Sequence, residues 1–163
     1  AGYRQSRRGL LVGTEQVGRA LREGEVLIEF VDITLGTIAQ YSSKNISGYG
    51  AVLLGKEDVA FNGGRAGEPV LIHLGEGEEI KKLVTEYRQL HRGKLARSRL
   101  AQLDDVLRRL GEKLFDPIGK RLPAGIKKVI LSPDGVLNFV SFAALKGKDG
   151  KFLKYYYLEM RNL

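Results

Sequence analysis

The chain has 163 residues, no cysteine and a formal net charge of +8, from 27 Lys and Arg against 19 Asp and Glu. A chain of that length fits one domain that buries roughly 70% of its unfolded surface without covalent staples. The missing thiol excludes a disulfide framework, a thiolate metal site and a cysteine nucleophile within these residues, and no apolar run approaches membrane-span length.

Residues 1–13 read as a polar, basic lead-in with one apolar patch, Leu10-Leu11-Val12. Thr14 can cap a short helix, with Glu15 in its first turn and Val17, Ala20 and Leu21 on one face. Gly24 is expected to end it. Glu25 to Ile33 is the clearest strand, apolar on both faces and therefore central and covered on both sides. Glu29 and Asp32 invite a paired-carboxylate reading, but an odd separation in a strand sends them to opposite faces. Leu35 to Gly48 reads as a loop or frayed hairpin end, and Tyr49 to Leu54 as the next strand.

Val59-Ala60-Phe61 is expected to add a short strand before the turn signal Asn62-Gly63-Gly64. Pro69 to Leu74 is a strand that its leading proline places at an edge. His73 could in principle act as a base or a metal ligand, yet no triad or ligand spacing surrounds it, and an ordinary strand histidine is the better reading. Gly63, Gly64 and Gly67 lack the lysine and the strand–glycine–helix order of a phosphate loop.

Glu76 to His91 is amphipathic, with Ile80, Leu83, Val84, Tyr87, Leu90 and His91 on one stripe and acids crowding its start. His91 reads as a packing residue beside Tyr87. After the basic connector Lys94 to Arg99, a second helix carries Leu100, Leu103, Leu107, Leu110 and Leu114 on one line. Asp116-Pro117 is expected to restart a short helical segment, ended by Pro123 and Gly125.

Val129-Ile130-Leu131 then reads as a buried strand that runs into the turn Ser132-Pro133-Asp134-Gly135. Leu131, Leu137, Phe139 and Phe142 are expected to close the core around it, Gly135 to hold a positive φ, and Asn138 to hydrogen-bond nearby backbone instead of facing bulk water. Lys146 to Gly150 forms a polar turn, and Tyr155-Tyr156-Tyr157 an extended segment. The order of elements points to an α/β fold, a mostly parallel or mixed sheet flanked by helices.

The string formed by Ser132, Pro133, Asp134, Gly135, Leu137, Asn138, Phe142, Ala143, Ala144 and Leu145 resembles the CHAT domain. This is a family of caspase- and separase-like cysteine peptidases often found behind TPR repeats. The family usually has proline before the phenylalanine, where this chain has Ser141. The "GEVLIEFVDI", "YGAVLL" and "LFDPIGKRLP" segments are similar to further pieces of the family, in the same order.

The resemblance implies a caspase-like sheet and places residues 14–163 as the non-catalytic half of such a domain, a fragment whose catalytic histidine and cysteine lie after Leu163. It implies no catalytic residue, cofactor or metal within the chain. Ser132, Pro133, Asp134, Gly135, Asn138, Phe142 and Leu145 then serve as structural motif residues. The implied partners are the catalytic half of the same parent protein and TPR or other proteins; the absence of cysteine and of a long apolar run fits the cytoplasm and no membrane. Two alternatives remain: a stand-alone protein–protein interaction module, and, with less support, a basic domain that associates with nucleic acid. The basic residues are dispersed, with no aromatic residues interleaved along a stripe.

Overall fold

The computed structural model describes residues 13–35, 46–92, 97–151 and 158–160, with the strand ends 34–35, 46–47 and 158–160 as backbone only. The fold is α/β: helix α1 (Thr14–Ala20), strands β1 (Glu25–Leu35), β2 (Ile46–Leu54) and β3 (Val70–Glu76), helices α2 (Gly77–His91) and α3 (Arg97–Gly119), strand β4 (Lys128–Ser132), two 3-10 turns (Gly135–Phe139 and Phe142–Ala144) and strand β5 (Leu158–Met160). The sheet is mixed, in the order β3-β2-β1-β4-β5. β1, β2 and β3 pair antiparallel, whereas β1 with β4 and β4 with β5 run parallel.

Alternation along the strands sends one set of side chains to the main core. Val26, Ile28 and Phe30 of β1 line up with Tyr49, Ala51 and Leu53 of β2 and with Val129 and Leu131 of β4, all buried. Over this face lie Ile80, Leu83, Val84 and Tyr87 of α2, with Leu107, Leu110, Leu114 and Ile118 of α3. Each such buried side chain contributes roughly 1.5–3 kcal/mol. On the opposite face, at the end of the sheet where β1 begins and β2 finishes, Leu21 just after α1 packs with Leu27 and Leu54. β1 is thus central as expected. Its second face is covered only in part by the described residues, and Val31 and Ile33 stay half-buried.

Several boundaries differ from the sequence expectation. The N-cap of α1 is Gly13, which leaves Thr14 as the first helical residue, and Gly24 shapes the turn into β1 with φ 76° instead of ending the helix. The β1–β2 ladder reaches Leu35 and Ile46, absorbing both ends of the expected loop, because the pairing continues through Ile33↔Gly48 and Thr34↔Ser47. Val59 to Phe61 forms no strand beyond an isolated bridge, Ala60↔Ala66, although Gly64 N–H does close a tight turn on Phe61 O at 2.8 Å.

α3 does not restart at Asp116-Pro117: it runs through Pro117 to Gly119. The proline forgoes one backbone bond near the helix end, where the burial of Phe115 and Ile118 holds the last turn in place. Leu100 is exposed and lies off the buried stripe. The tyrosine run at 155–157 lies outside the described residues.

Candidate functional site

The SPDG turn follows the carboxyl end of β4 and lies beside the second half of β1, toward the side of an open α/β sheet where sites collect. Ser132 ends β4 opposite Glu29. Asp134 is extended, and its side chain caps the first 3-10 turn by accepting Gly135 N–H at 2.7 Å. The chain therefore leaves the turn as a 3-10 helix and not as the returning arm of a hairpin. Gly135 has φ 54° as expected, and a Cβ there would stand 2.8 Å from the Tyr49 hydroxyl. Asn138 donates from Nδ2 to Gly135 O at 3.1 Å, which meets the expected backbone bond, although the side chain itself is exposed.

Three elements converge on this turn. Asp32 N–H donates to the second Asp134 oxygen at 3.1 Å, tying the second half of β1 to the turn. Val136 N–H donates to the Tyr49 hydroxyl at 3.3 Å, tying in β2, and that hydroxyl also hydrogen-bonds the Asp32 carboxylate. Lys81, one turn into α2, places Nζ 3.5 Å from Asp32 Oδ2. Burial of the Tyr49 phenol pushes its pKa above the ordinary value; the Val136 N–H opposes the shift, and the Asp32 and Asp134 carboxylates add to it.

Below the turn, Leu131, Leu137, Val140, Phe142 and Leu145 are buried. Phe142 lies 5.4 Å from Phe30 and 6.1 Å from Phe115, ring centre to ring centre. Phe139 is the correction: it is 54% exposed, with the Arg88 guanidinium 4.1 Å above its ring. Pro133 is half-buried in the turn.

The geometry is that of a polar lock, in which each carboxylate already accepts from a backbone N–H or faces a cation. Glu29 is exposed and shares no site with Asp32, as their parity dictated. His73 is exposed on the edge strand β3. His91 stacks on Tyr87 at 5.7 Å, at the far end of α2 and about 20 Å along the helix from β3. His73 points to the sheet face away from α2, since its neighbours Ile72 and Leu74 are the buried ones, so the two histidines are not brought together. Among the described residues no group of three or more His, Asp or Glu could hold a metal ion, and no helix is long and apolar enough to cross a membrane.

Sequence reasoning passed over Tyr49 and Lys81 as site members. The signal for Tyr49 was available, since a hydroxyl in a buried strand needs a partner. No protein-family model, curated protein or solved structure matches the chain significantly.

Proposed function

We propose that this chain is the non-catalytic, pseudo-caspase half of a CHAT-type cysteine peptidase, a scaffold for a catalytic half that follows Leu163 in the parent protein and supplies the histidine and cysteine. The observation that carries the reading is the SPDG turn itself. It ties the end of β4 to β1 and β2 through Asp134, Asp32 and Tyr49, a role in architecture. The parallel run β1-β4-β5 offers a sheet on which further parallel strands can build.

Peptide hydrolysis by a caspase-like route needs a thiolate, an imidazole to manage its proton and donors for the developing oxyanion. This chain has no thiol, and its two histidines lie on different elements, His73 exposed on β3 and His91 stacked on Tyr87 at the end of α2. The test compares this chain with one extended through the downstream reading frame, using a peptide library. Hydrolysis by the extended protein alone, lost when its cysteine is replaced, is the expected result. Cleavage by the short chain that survives repurification, or a downstream frame without cysteine, would refute the proposal.

The interaction-module reading keeps one specific support, the outer edge of β3, which no described strand pairs with. The nucleic-acid reading loses ground because many of the cations are engaged in ion pairs. Arg108 faces Asp105 and Glu112, Lys128 faces Glu25, and Lys146 faces Asp104.

A further inference from the structure

Among the described residues β3 is the outer strand on its side of the sheet, and no described strand pairs with its outer edge, which carries the run Val70-Leu71-Ile72-His73-Leu74. Soluble proteins protect such an edge with lysine, proline or a covering element. Pro69 stands in front of the strand, but neither lysine nor proline occurs within Val70–Glu76. Leu71 is 63% exposed, the most exposed large apolar residue described.

The edge is also one wall of a cleft of about 430 Å³. Four consecutive residues, Leu71 to Leu74, line it. Consecutive strand residues point to opposite faces, so a cleft that touches all four runs along the strand's edge, over about 10–13 Å. The opposite wall is the end of α3, from Glu112 and Lys113 through Asp116 and Pro117 to Lys120 and Arg121. An edge strand beside a helix wall is the arrangement that accepts an added strand.

The wall has a charge polarity. Glu112 is neutralised by Arg108 at 2.7 Å, Asp116 by Lys148 at 3.0 Å, and Lys113 by Glu79. Lys120 has no ion pair among the described residues, and Arg121 holds only the Asn62 carbonyl, at 2.8 Å. The unspent positive charge therefore lies at one end. α3 runs antiparallel to β3: the Lys113 side chain passes Gly75, while Arg121 reaches the Asn62–Gly64 turn that backs on Val70. An added strand antiparallel to β3, as β2 is, ends its chain beside Lys120 and Arg121.

We infer that the β3 edge and the α3 wall together take an extended peptide segment as an added antiparallel strand, with a carboxylate at its C-terminal end facing Lys120 and Arg121. A second copy of this chain joined through β3 would instead appear as a dimer that excludes the peptides.

The test is fluorescence anisotropy of the full chain with pooled peptides of about six residues, β-branched at alternate positions. One pool ends in an amidated Asp or Glu, one in a free carboxylate without an acidic side chain, and one in an amidated Lys. At least one carboxylate pool should bind at least about tenfold more tightly than the lysine pool, and which one does identifies the carboxylate's source. Lys120→Glu combined with Arg121→Glu should invert the preference toward the lysine pool, a gain that misfolding could not produce. Methylating peptide backbone nitrogens at alternate positions should abolish binding in one phase and spare it in the other. No binding by any pool, a preference unmoved by the charge reversal, indifference to backbone methylation, or a dimer that excludes the peptides would each overturn the inference.

Discussion

Tyr49 is where the turn's placement is decided. Its ring is fully buried, and its hydroxyl is shared by the Val136 N–H and the Asp32 carboxylate. Tyr49→Phe should cost about 1–2 kcal/mol, because it strands a half-buried N–H. The pH dependence has a definite sign. Burial raises the phenol's pKa in the folded state, so the unfolded chain loses that proton first. The stability tied to the neutral phenol is complete below the unfolded value of about 10 and declines as pH rises from there toward the folded value. Denaturant titrations at pH 8 and above pH 10 should show the wild type losing more stability than Tyr49→Phe; equal losses would mean the phenol is not held as described.

Phe142 and Phe139 make a second contrast at this scale. Phe142→Ala should cost about 3–5 kcal/mol, since it empties a site between Phe30 and Phe115. Phe139→Ala should cost less than about 1 kcal/mol, because the ring stands more than half in solvent and leaves no cavity in the core. Both were assigned to the core from sequence. The 3-10 turn separates them from that common expectation: at three residues per turn, Val136 and Phe139 share one side, and the buried Leu137 and Val140 share the other. Hydrophobicity alone could not distinguish these sides; the backbone period was needed.

Among the elements, α3 shows most clearly what a pattern reveals and what it hides. The stripe of Leu103, Leu107, Leu110 and Leu114 was legible because burial repeats with the helical period. The continuation past Pro117 was not, because local propensity argued for a break that tertiary burial of Ile118 overrides. Gly111 carries a further lesson. Glycine in a helix interior is costly, and here it gives Lys146 its place: a Cβ at 111 would overlap the Lys146 carbonyl, and the Lys146 N–H donates to Leu107 O at 3.4 Å. Gly111→Ala should therefore destabilise by about 1–3 kcal/mol despite alanine's better helix propensity. Thermal melting would check it, and a stabilised variant would show that the segment after Leu145 does not rest on α3.

At the scale of the whole molecule, the sheet has two different sides. Among the described residues the antiparallel side ends in β3, with a basic-ended cleft along its edge. The parallel side runs β1-β4-β5 and is locked by the SPDG turn at the carboxyl end of β4. The central strand, the edge position of β3 and the positive φ of Gly135 were legible from apolar runs, a leading proline and a turn glycine. The Tyr49–Asp32–Asp134 lock was not, because Asp32 and Asp134 stand 102 residues apart and no local spacing joins them.

The proposed scaffold role requires that the catalytic half share this sheet, with its first strand added beside β5. Backbone hydrogen exchange at Leu158–Met160 tests that most directly, measured in this chain and in the protein extended past Leu163. The scaffold account expects these amides to exchange at least about tenfold more slowly in the extended protein, as an edge strand becomes an interior one. Unchanged exchange at β5, in an extended protein that hydrolyses peptides, would contradict it.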